Sequence, residues 1–120
     1  MAALADLLIG LVALAHLWFP VLEMFLWDKP RGLRSFRMTP EQAAQTKVLV
    51  ANQGLYNGFL AAGLAWGLAL GPAGLAIKVF FQVCVAVAGV FGAATVSRLI
   101  FWVQAFPALV ALALLHYPGA

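Results

Sequence analysis

Apolar and polar positions alternate along this chain on the scale of whole helices. A first apolar stretch runs from about Leu4 to Trp27, enough at 1.5 Å per residue to cross ~30 Å of hydrocarbon. A polar segment, Asp28 to Lys47, follows it. The next apolar run enters near Val48 and stops at Gly71-Pro72, where Gly suits a helix C-cap and Pro a new first turn. So short a connection makes the flanking helices antiparallel neighbours. From Ala73 to Leu115 the chain is almost continuously apolar, about twice the length of one crossing. It must reverse, and Thr95-Val96-Ser97-Arg98 is the best place. The pattern predicts helices at about 4–27, 40–70, 73–96 and 98–116, with a basic loop at 28–39.

Local signals sharpen these limits. Lys29-Pro30-Arg31-Gly32 reads as a turn. Thr39-Pro40-Glu41-Gln42 reads as a helix start, with Thr39 as N-cap, Pro40 in the first turn and Gln42 closing a capping box. Pro20 cannot donate to the carbonyl of His16, which predicts a kink in the first helix. Pro107 predicts a bend in the last one, and His116-Tyr117-Pro118 stands at its exit. A cleaved leader is a poor reading of the first stretch: no Lys or Arg precedes it, and Asp6 sits where a basic region belongs.

Composition makes the setting a bilayer. Of 120 residues, 65% are hydrophobic and 9% charged, against roughly 45–50% and 25% in soluble domains. A single domain of this size cannot hide that much apolar surface from water. The expected fold is all-α, an integral membrane bundle of four transmembrane helices forming one domain. The net charge of +3 gathers mainly in the first loop, at Lys29, Arg31, Arg34, Arg37 and Lys47, with Arg98 at the later reversal. It therefore reads as a topology signal rather than a nucleic-acid surface. Placing both clusters in the cytoplasm puts both termini outside, and Lys78, the dissenter, is expected to snorkel outward.

Candidate chemistry centres on Asn52-Gln53-Gly54-Leu55-Tyr56-Asn57-Gly58. On a helix Asn52 and Tyr56 are one turn apart, as are Gln53 and Asn57, so the four are expected to form a polar stripe. Gly54 and Gly58 are expected on the opposite, close-packing side, and Gly89 and Gly92 serve the same purpose in the third helix. Glu23 lies roughly 6 Å inside the cytoplasmic boundary, at the depth of Asn52 and Gln53. Gln104 enters the same layer, Arg98 caps it, and His16 stands near the midplane. A carboxylate in hydrocarbon costs ~2.5–3.5 kcal/mol on insertion scales, so Glu23 must face the bundle and find partners. The competing reading is that the amides are interhelical glue, worth ~0.6 kcal/mol each. Gly63, on the polar side, is expected to tolerate Ala. No metal or cofactor is expected: Cys84 stands alone, His16 and Glu23 would underligand a metal, and nucleotide-loop and HExxH motifs are absent.

Leu22-Glu23-Met24-Phe25-Leu26-Trp27, Pro30-Arg31-Gly32, Thr39-Pro40-Glu41 and above all the run Asn52 to Leu64 carry a family resemblance. The chain resembles the bacterial "domain of unknown function 1304" membrane proteins over nearly its whole length. The resemblance implies a small four-span inner-membrane protein. It assigns no substrate and no catalytic residue.

Function therefore rests on the polar layer. The favoured expectation is binding or transport of a small amphipathic molecule in a cytoplasm-facing pocket around Glu23. One alternative is a membrane enzyme acting on a lipophile, with Glu23 or His16 as acid/base and Tyr56 as donor. Another is an accessory subunit whose glycine faces dock on a larger complex or a second copy. Apart from such a ligand or assembly, the lipid bilayer is the expected partner.

Overall fold

The computed structural model describes residues 2–116 and is helical throughout, with no strand among the described residues. Helix α1 covers Ala2–Pro20 and widens into a π-helical turn over Val21–Phe25. A short α2 (Pro30–Phe36) and the long α3 (Pro40–Ala69) follow. A 3-10 turn, Gly71–Gly74, leads into α4 (Leu75–Thr95). The single turn α5 (Arg98–Ile100) runs through a second π-helical segment, Phe101–Ala105, into α6 (Phe106–Leu115). Tyr117 and Pro118, expected at the exit of the last helix, lie outside the described residues.

Among the described residues, three stretches are long and apolar enough to cross a membrane: Ala2–Phe25, Gly71–Thr95 and Arg98–Leu115. Helix α3 is longer, at 30 residues, or about 45 Å. Its charged first turns and the amides at 52, 53 and 57 make it less apolar than the others. The surfaces suit lipid. On α1 the large side chains of Leu7, Leu11, Leu14 and Trp18 are exposed at helical spacing, whereas Ala5, Ile9, Val12 and Ala13 are buried.

Both π-helical segments sit beside prolines. Pro20 has no N–H to give and immediately precedes the first, whose wide turn is closed by Leu26 N donating to the Val21 carbonyl at 3.1 Å. The second ends just before Pro107, with the Phe106 N–H donating to the Phe101 carbonyl. The register therefore shifts at each proline without breaking the helix.

The chain divides into two compact units, Met1–Ala13 with Ala62–Ala120, and Leu14–Ala61. In the first, α4 packs along α6 and the π-helical segment before it. Small residues set that approach: a Cβ on Gly89 would stand 2.5 Å from the Ala105 backbone nitrogen, and one on Gly92 would stand 2.8 Å from Ile100 Cγ2. Val96 caps the end of helix α4, and Ser97 starts α5 as its N-cap, accepting from Leu99 N–H at 3.2 Å. Gly63 does not have the room expected of it. A Cβ there would run into the Phe81 ring, so Gly63→Ala is a packing change.

In the second unit, Thr39 and Gln42 form the capping box. Thr39 N–H donates to Gln42 Oε1 at 2.9 Å, and Gln42 N–H donates to Thr39 Oγ1 at 3.2 Å. Helix α2 seats Gly32 against the Leu26 and Trp27 carbonyls, an approach that leaves no space for a side chain. Arg37 ends α2 in the left-handed region at φ 52°.

Candidate functional site

The site forms where the π-helical turn after Pro20 meets α3. Glu23 is only 6% exposed, and it accepts a 2.7 Å hydrogen bond at Oε1 from Asn57 Nδ2. The exposed Gln53 side chain stands close enough to act on the same carboxyl. Backbone proximity makes the meeting possible. A Cβ on Gly54 would stand 2.8 Å from Met24 Cγ, 3.0 Å from Glu23 Cβ and 3.4 Å from Pro20 Cα. At Gly58 the nearest atom would be Pro20 Cγ, at 3.8 Å.

This geometry redistributes the polar run. Gly54, Asn57, Gly58 and Ala61 follow the i, i+3, i+4, i+7 pattern and so share a face. The glycines are thus on the same side as Asn57, not opposite it. Asn52, Gln53 and Tyr56 are exposed. Tyr56 is 60% exposed and its ring meets that of Phe59, with centroids 6.1 Å apart. His16 is buried and stands edge-on to Phe19, with centroids 5.1 Å apart. Arg98 and Gln104 belong to the other unit. Arg98 is exposed at the start of α5, and Gln104 is half-buried in the second π-helical segment.

Two further contacts pin the end of the first helical stretch to α3. Trp27 Nε1 donates to Thr46 Oγ1 at 2.9 Å. Lys47 Nζ donates to Asp28 Oδ2, also at 2.9 Å. That hydrogen bond and charge hold the Asp28 carboxyl below the ordinary carboxylate range. Neither pairing is evident from the sequence, where these residues read only as loop charges and a boundary aromatic. A polar group on each side of the basic loop is the signal that could have suggested them.

Lys78 corrects the expectation of outward snorkelling. Its side chain is 6% exposed and turns inward to donate to Asp6 Oδ1 at 2.9 Å. A buried cation demands a counter-charge, and Asp6 supplies one from the first helix.

The family model described as "Protein of unknown function (DUF1304)" matches residues 10–116. The chain belongs to the DUF1304 family. A relative within reach of sequence comparison is the "Uncharacterized protein YpaA" of Lactococcus lactis subsp. lactis (strain IL1403). It is 30% identical over 114 residues, covering 93% of this chain and 96% of the relative. No solved structure matches. The DUF1304 match spans Glu23, Gly54, Asn57 and Gly58 and brings no assigned role for any of them.

Proposed function

We propose that this DUF1304 protein crosses the bacterial inner membrane four times with both termini outside, and binds or transports a small amphipathic molecule at the Glu23–Asn57 pair. The observation that carries the reading is a buried carboxyl held by an amide inside a widened helical turn. Insertion of such a carboxyl costs ~2.5–3.5 kcal/mol, several times what an interhelical amide bond returns on average. Adhesion alone is a poor reason to keep it. Single-turn π segments recur at functional sites because they redirect a side chain without ending the helix.

In this reading the first turns of α3 stand in water, and the rest of that helix is the second crossing, added to the three more apolar stretches. The basic residues of the first loop face the cytoplasm. Asn57 holds one carboxyl oxygen, and the exposed Gln53 marks the flank from which a ligand head would approach. A head that donates hydrogen bonds or carries positive charge complements the acid, and an apolar tail complements the surrounding helices. The enzyme alternative asks Tyr56 and His16 to act with Glu23. Tyr56 is 60% exposed, and the group hydrogen-bonded to Glu23 is the Asn57 amide, which moves no proton, so binding is the reading we favour.

The test is a thermal-shift comparison of the purified wild type and Glu23→Gln against lipophilic cations such as tetraphenylphosphonium, with quinones and glutathione alongside. Glu23→Gln keeps a hydrogen-bonding side chain and should fold. It should also lose a saturable, ligand-dependent shift that the wild type displays. Identical responses in the two proteins would reduce Glu23 to a structural residue.

A further inference from the structure

A second polar cluster lies in the other unit, well separated in sequence from the Glu23 pair. Lys78 and Gln82 are one turn apart on α4 and both are buried, so they share the face that looks away from lipid. Asp6 joins them through its bond to Lys78 Nζ. Gln82 is 0% exposed, and neither its Nε2 nor its Oε1 has a hydrogen-bond partner among the described residues. Leaving both ends of a buried amide unpaired carries the full desolvation cost of each group with nothing to offset it. An apolar residue of similar size would avoid that cost, so the amide points to a ligand.

We infer that Asp6, Lys78 and Gln82 form a binding site for an oxygen that both donates and accepts hydrogen bonds: water, or the hydroxyl of an amphipathic alcohol. The donor and acceptor inventory selects this class. The amide N–H₂ needs an acceptor and the amide oxygen needs a donor. A carboxylate only accepts and would leave the amide oxygen bare. An ammonium only donates and would meet Lys78 with like charge. A hydroxyl or water serves both ends, and it can also accept from Lys78, which commits one of its three N–H groups to Asp6. The Asp6 side chain is 44% exposed, so the Asp6 end of the cluster is reached from outside the protein. The site is independent of the Glu23 reading and stands or falls without it.

Two arms of one experiment separate the sources. In the first, the intact protein carries ¹⁵N-labelled glutamine side chains in lipid bilayers, and polarisation transfer from water to the Gln82 amide is measured. Transfer that disappears in Asp6→Asn/Lys78→Met identifies water. In the second, 1-dodecanol, dodecane and dodecanoate are titrated against the wild type and Gln82→Leu in a thermal-shift assay. A saturable shift with the alcohol alone, lost in Gln82→Leu, identifies a hydroxyl ligand. If water transfer is absent and all three dodecyl probes act alike on the wild type, the inference is overturned. The water arm needs no Gln82 variant, so a Gln82→Leu protein that fails to fold leaves the inference exposed to that test.

Discussion

Asn57 donates to Glu23 across 2.7 Å, a bond between residues 34 positions apart that ties α3 to the π-helical turn following Pro20. Its partner carboxyl is buried, so its removal strands a group that water reaches poorly. Asn57→Ala should therefore cost about 1–2 kcal/mol, above the ~0.6 kcal/mol average for membrane hydrogen bonds. Asn57→Ala in Glu23→Gln should cost less, because the native bond to the carboxyl is already gone. Unfolding of the four proteins in a double-mutant cycle measures the difference. A coupling energy of zero would mean that the bond contributes nothing.

Gly54 and Gly58 face the same turn at different clearances, which makes them a matched pair. An added methyl at Gly54 meets Met24, Glu23 and the Pro20 backbone at 2.8–3.4 Å, whereas at Gly58 it meets only Pro20 Cγ at 3.8 Å. Gly54→Ala should destabilise by about 1–3 kcal/mol through overpacking. Gly58→Ala should be neutral or gain up to about 1 kcal/mol from helix propensity. Melting temperatures of the two variants decide the order, and equal values would show that the glycine face is looser than the distances imply.

The legible parts of this molecule were those decided locally. Thr39 and Gln42 are three residues apart, and their reciprocal bonds follow from helix geometry alone. The all-helical character follows from the length and apolarity of the stretches, and family membership from the run around Asn52 to Leu64. What escaped depends on which way a face turns. One-turn spacing joins Gln53 to Asn57 correctly, but it does not say which flank of that stripe faces a neighbour, and Gly54 turns out to lie on the side that meets Glu23. The π-helical turns escaped because proline announces a disturbed helix without saying whether it kinks or widens. Lys78 and Asp6 are 72 residues apart, and no periodicity within one helix can join them.

Orientation is open to direct test. With the basic loop in the cytoplasm and four crossings, a reporter fused after Ala120 should be active in the periplasm. A cysteine at Arg34, exposed on α2, should be labelled by impermeant reagents only once the cytoplasmic face is opened. Cys84 is half-buried and is replaced by Ala in the same variant to remove background labelling. A reporter active only in the cytoplasm would reject the four-span arrangement. It would leave two crossings after the basic loop, which return the C-terminus to the loop's own side.

The Asp28–Lys47 pair gives the fold a pH-dependent element outside the membrane-spanning stretches. Lys47 lowers the Asp28 pKa in the folded protein, chiefly through its hydrogen bond. A carboxyl whose folded pKa lies below its unfolded value stabilises the fold above the unfolded pKa, near 3.9 for aspartate. That contribution is lost as pH falls through the folded value. Wild type should therefore melt slightly above Asp28→Asn near neutral pH, and the two should converge below about pH 4. Both partners are partly exposed, so salt should narrow the neutral-pH gap as well. Thr46→Val supplies the control. It removes the neighbouring bond from Trp27, which involves no titrating group, and its deficit should hold constant across the same range. A gap between wild type and Asp28→Asn that persists unchanged into acid would show that Asp28 acts through shape or backbone contacts and not through its charge.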